Sequence, residues 1–94
     1  MRIKPEQTRL ITDCVHHHFG DLARIWLFGS RLDDAKRGGD IDLYIETPSR
    51  SLMSELRCKH VLEDALESPI DLIVRAPGDL SPIALIAKAE GIAL

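Results

Sequence analysis

The chain has 94 residues, with 12 Lys or Arg against 15 Asp or Glu for a net charge of −3, and 45% of it is hydrophobic. Such a length supports one domain, residues 1–94, with one modest core. The slightly acidic balance argues against a nucleic-acid face driven by phosphate contacts, so a protein or small-molecule acceptor is favoured over a polynucleotide. No apolar stretch approaches a membrane span or a signal-peptide core, so a cytoplasmic protein is expected.

In chain order, Pro5 suits a first helical position, Leu10, Ile11, Cys14 and Val15 fall at helical spacing, and Gly20 ends the segment. His16, His17 and His18 close this helix. Adjacent side chains point around a helix and do not converge on one ion, so the three are read as a C-terminal cluster favoured by the helix dipole. Leu22 to Phe28 reads as a strand, followed by a short helix and a Gly38-Gly39 turn, and Ile41 to Ile45 as the next strand. Thr47 is expected to cap a helix from Pro48 to about Glu67, with Ser49, Ser51 and Ser54 as polar helix-start residues. Ile70 to Val74 is a third strand, and Ser81-Pro82 opens a last helix that ends near Gly91. The expected order is αβαβαβα. Cys14 and Cys58 have neither the sequence spacing of metal ligands nor the density of a disulfide scaffold, and both are expected to be reduced, Cys14 as ordinary core.

Two of these helices carry more apolar surface than a small sheet requires. Leu52, Leu56, Leu62 and Leu66 lie toward one side of the third helix, and Cys58, Val61 and Ala65 widen the band; Ile83 to Ala87 and Ala89 nearly encircle the last. Either the last helix is tucked into the core, or a surface is kept for a partner or for self-association.

Residues 28–43 read Phe-Gly-Ser-Arg-Leu-Asp-Asp-Ala-Lys-Arg-Gly-Gly-Asp-Ile-Asp-Leu. Gly29-Ser30 follows the apolar run Ile25 to Phe28, where backbone N–H groups and a hydroxyl at a strand-to-turn junction can meet an anion. Strand alternation puts Asp40 and Asp42 on one face with α-carbons about 6.6 Å apart, close enough to share cations about 3.5–4 Å apart. Taken alone, Asp-x-Asp also fits a turn residue followed by a solvent-facing strand Asp. Asp71 lies in the apolar run Pro69-Ile-Asp-Leu-Ile-Val74. A buried Asp there costs several kcal/mol unless paired, hydrogen-bonded or metal-bound; a strand-edge Asp turned to water is the alternative.

Gly29-Ser30, nine intervening residues, Asp40-Ile-Asp42-Leu and a later acidic strand residue resemble the signature of the polymerase β-like nucleotidyltransferases. At this length the chain looks like a minimal nucleotidyltransferase (MNT), the branch without an appended acceptor-binding domain. The resemblance spans the chain by order of elements, with its specific motifs in residues 28–45 and 69–74. It implies an α/β (α+β) fold, a small mixed β-sheet with flanking helices like a polymerase β palm. It also implies Asp40, Asp42 and Asp71 as catalytic carboxylates holding two Mg2+ ions, and Gly29, Ser30 and Arg31 at the phosphates of ATP. In this family a HEPN protein is the partner of a two-component toxin–antitoxin module. The implied activity is transfer of AMP from ATP to a hydroxyl of that toxin; the alternative is a non-catalytic antitoxin that neutralises its partner by covering it. One departure is visible: many members read Gly-Ser-Arg-Ala-Arg-Gly, whereas here Arg31 precedes Leu32-Asp33-Asp34. The second basic residue is thus missing or replaced by Lys36 or Arg37.

Overall fold

The computed structural model describes residues 4–28 and 41–94. Among these, the order is α1 (Pro5–Phe19), β1 (Arg24–Phe28), β2 (Ile41–Glu46), α2 (Leu52–Leu66), β3 (Ile70–Arg75), α3 (Pro82–Glu90) and β4 (Ile92–Ala93). The strands form one mixed sheet in the order β3-β2-β1-β4, with β2 and β3 parallel and the other two pairings antiparallel. The expected mixed sheet with flanking helices is therefore present. The expected short helix and the Gly38-Gly39 turn lie outside the described residues.

α1 begins at Pro5, whose missing N–H costs nothing in a first turn, and the Gln7 Oε1 accepts from the Lys4 N–H at 2.9 Å. It ends at Gly20, which adopts φ 95° and donates its N–H to the His16 carbonyl. Ile11, Cys14, Val15 and Phe19 form its buried stripe, while Leu10 is 37% exposed and falls outside it. Leu22, expected as strand, is an exposed turn residue, and β1 starts two residues later.

Side chains alternate between the two faces of the sheet and split the interior into two layers. Ile25, Leu27, Ile41, Leu43, Ile45, Ile70 and Val74 face α1 and α2 and pack with Ile11, Val15, Cys58 and Leu62. Trp26, Phe28 and Tyr44 face the opposite way and meet Ala84 and Ala87 of α3. Because both faces are covered, β1 is buried from Ile25 to Phe28 and β2 along nearly its whole length. The small side chains of Ala84 and Ala87 let α3 lie close on the aromatic rings.

Thr47 does not cap α2. It is fully buried, donates its hydroxyl to the Phe19 carbonyl and accepts from the Ser49 N–H, and its own N–H donates to the Arg75 carbonyl, so it ties the end of β2 to both α1 and β3. Ser51 is the actual N-cap, accepting from the Ser54 N–H. α2 stops at Glu67 in the left-handed conformation, φ 53°. It is the crossover that a parallel β2–β3 pair requires, and Glu63 Oε2 secures the start of β3 by accepting from the Ile70 N–H at 2.9 Å.

Asp79 Oδ1 accepts from the Ser81 N–H at 2.7 Å in the turn before α3, and Pro82 occupies the first helical turn. Gly91 then passes between α3 and β1: a Cβ there would sit 2.3 Å from the Ala87 carbonyl oxygen and 2.9 Å from that of Leu27. The two-residue β4 pairs with β1 through Trp26–Ala93 and Leu27–Ile92, an element the sequence pattern did not reveal.

Candidate active site

Asp42 lies near the start of β2 and Asp71 near the start of β3, and the two are register partners in the parallel ladder. Neighbouring strands run about 4.8 Å apart. Asp42 alternates with Tyr44, and Asp71 with Ile73, both of which pack in the α3-side layer. Both carboxylates therefore belong to that face of the sheet. Phe28 pairs with Asp42 on the other side, so the row runs Phe28, Asp42, Asp71, and the end of β1 delivers the chain to the edge of the acidic pair.

Asp42 is half-buried between Ile41 and Leu43, which point into the opposite layer. Asp71 is exposed, because β3 is an edge strand and Asp71 opens onto water. Burial therefore does not force a partner on Asp71, which sits as a strand-edge Asp turned to water. An exposed Asp71 is nonetheless aligned with Asp42. Asp40, Gly29, Ser30 and Arg31, with Lys36 and Arg37, lie outside the described residues.

The far end of the same face is closed by charge and aromatic packing. Lys88 Nζ donates to Glu46 Oε2, and Glu46 is only 6% exposed. The Lys88 ammonium also lies 5.2 Å from the Trp26 ring centroid, and the Arg24 guanidinium lies 5.3 Å from it. Trp26 meets Tyr44 edge-on with centroids 5.9 Å apart. Tyr44 is fully buried, and burial, with the Asp79 carboxylate adding to it, pushes its phenol above the ordinary value. Glu46 and Lys88 were not singled out in the sequence; Glu46 ends the Asp42-Leu-Tyr-Ile-Glu46 stretch, in which it alternates with Tyr44 and Asp42, and that was the available signal.

The sequence model of the nucleotidyltransferase domain family matches residues 9–93, and the chain belongs to that family. No curated protein matches it significantly. Among solved structures, it resembles an MntA–HepT toxin–antitoxin structure at 18% identity, covering 96% of this chain and 70% of that one with a TM-score of 0.70. A tri-AMPylated Shewanella oneidensis HEPN toxin in complex with MNT antitoxin is matched at 19% identity, 97% and 71% coverage and a TM-score of 0.71. A toxin–antitoxin structure with AMP-PNP is matched at 21% identity, 93% and 70% coverage and a TM-score of 0.70. At these identities the likeness speaks for a shared fold. Among the described residues no helix is long and apolar enough to cross a membrane.

Proposed function

We propose that the chain is a magnesium-dependent nucleotidyltransferase that moves AMP from ATP onto a hydroxyl of a HEPN-type partner protein and serves as its antitoxin. The observation that carries this reading is the in-register pair Asp42 and Asp71 on one sheet face of a nucleotidyltransferase-family domain. The structural neighbours with AMP-PNP and with an AMPylated HEPN toxin support the nucleotide and the partner.

Two hard carboxylates one strand apart suit magnesium, which prefers oxygen donors and keeps part of its water. Asp40, Asp42 and Asp71 would hold it, and when bound it supplies charge neutralisation for the triphosphate. Gly29 and Ser30 would receive the phosphates through backbone N–H groups and the hydroxyl, and Arg31 would add a fixed positive charge. Asp71, exposed at the edge, would accept the proton of the attacking hydroxyl. The acceptor oxygen bonds to the α-phosphorus, the α–β anhydride breaks, and pyrophosphate carries away the electron pair. The cellular ATP pool and two reduced cysteines fit a reaction in the cytoplasm.

The test is transfer of label from ATP, labelled in its α-phosphate, to the cognate partner in the presence of magnesium. Wild type should label the partner, and folded Asp42→Asn and Asp71→Asn should not. Absence of label with wild type would sink the enzymatic reading.

A second reading, neutralisation by covering alone, is favoured by the exposed apolar residues on and beside α3: Leu80 at 77%, Leu85 at 53% and Ile86 at 47%. The last helix is thus not swallowed by the core, and it leaves an apolar face suited to a protein partner. Under that reading Asp42→Asn neutralises the partner as well as wild type does, whereas Leu85→Lys and Ile86→Lys fold but do not bind it.

A further inference from the structure

We propose that Cys14, His18 and Cys58 form a binding site for a zinc-class divalent cation between α1 and α2, on the sheet face opposite Asp42 and Asp71. The sequence gives no hint of this by spacing, since Cys58 lies 44 residues beyond Cys14, but the fold brings the two sulfur atoms to 3.7 Å. Cys14 and His18 stand one turn apart on the same side of α1, the i, i+4 arrangement that lets one helix supply two ligands. Cys14 Sγ and His18 Nδ1 are 3.5 Å apart, and one donor atom from each of the three residues lies within 4.8 Å of the others.

Two of these separations, Cys14 to Cys58 and Cys14 to His18, match edges of a tetrahedron around zinc, and His18 and Cys58, within 4.8 Å, would draw together on binding. With Zn–S about 2.3 Å and Zn–N about 2.0–2.1 Å, tetrahedral angles place sulfur about 3.8 Å from sulfur and about 3.5 Å from nitrogen. A structural disulfide, the other fate of two close cysteines, leaves His18 without a role. Three protein ligands leave a fourth position for water.

The charges balance as well. Both sulfur atoms are buried, that of Cys58 fully. Two thiolates and one dication make a neutral unit, which a buried site tolerates where two bare thiolates would be expelled. On binding, each thiol gives its proton to solvent and each sulfur its electron pair to the ion. In the cation-free molecule the His18 Nδ1–H donates to the Cys14 carbonyl at 2.8 Å. Ligation exchanges that bond for the metal, and the ring proton moves to Nε2. His18 is half-exposed while Cys14 is 7% exposed and Cys58 fully buried, so the ion enters past the histidine. Soft donors here and carboxylates on the other face would sort their metals by chemistry.

The experiment adds zinc to reduced, metal-free protein, removes the excess by gel filtration, and measures bound metal and melting temperature. One zinc per chain and a raised melting temperature are expected, and cobalt in its place should give thiolate charge-transfer absorption. His18→Ala, at a half-exposed position that leaves the core intact, and Cys58→Ala should each abolish stoichiometric retention, while Asp42→Asn retains it. The proposal is overturned if wild type holds no stoichiometric zinc or if both His18→Ala and Cys58→Ala still hold it. It is equally overturned if zinc fails to slow formation of a Cys14–Cys58 disulfide in air.

Discussion

Asp42 and Asp71 face the same way from adjacent parallel strands, directly in register. Two carboxylates about 4 Å apart repel by about 1 kcal/mol in water and by more at a protein surface, and a shared cation removes that repulsion. Magnesium and ATP together should therefore stabilise the protein more than either alone, by about 2.7 kcal/mol at 100 times the dissociation constant. Thermal melts measure it. No joint effect, or an undiminished one in Asp42→Asn, would speak against a triphosphate site here.

The Glu46–Lys88 pair bridges β2 and α3 with its carboxylate buried. Lys88→Met leaves that carboxylate without its cation and should cost about 2 kcal/mol, the loss of a charge-assisted hydrogen bond with one partner still partly in water. The double variant Glu46→Gln/Lys88→Met should recover part of the loss. Urea unfolding of the three proteins checks both statements.

At Gly91 the constraint is space. A Cβ would press against two backbone carbonyls, neither of which can rotate away. Gly91→Ala should destabilise by about 1–3 kcal/mol and loosen β4, visible as faster amide exchange at Ile92 to Leu94.

Glu67 offers the opposite change. An L-residue in the left-handed region at a helix end carries about 1–2 kcal/mol of strain, and glycine is the usual occupant. Glu67→Gly should raise the urea midpoint, with a net gain of about 0.5–1 kcal/mol after the entropy glycine adds to the unfolded chain. A lowered midpoint would show that the Glu67 side chain holds the turn.

Much of this fold is legible in local patterns. Pro5 and Gly20 bracket α1, Ser81-Pro82 and Gly91 bracket α3, and apolar runs mark β1, β2 and β3. What was hidden depends on partners distant in sequence. Thr47 has the chemistry of a cap, but its hydroxyl is taken by Phe19, 28 residues earlier. β4 is two residues long and exists only because β1 offers it an edge. The environment of Asp71 turned on whether β3 is central or at the edge, which an apolar run does not reveal. The Asp-x-Asp pattern reads Asp42 as a strand residue, which β2 contains, but its alignment with Asp71 needed the parallel register. The three histidines do fall in the last turn of α1, but the closeness of His18 to Cys14 and Cys58 depends on how α1 packs against α2.

Trp26 is the chain's single tryptophan and Tyr44 its single tyrosine, and their rings meet beneath α3. Excitation of Tyr44 must therefore pass to Trp26, whose emission is in turn coloured by the cations of Arg24 and Lys88 beside it. The molecule thus contains its own optical gauge: intensity and wavelength report, without any label, whether α3 is seated on the sheet face that carries Asp42.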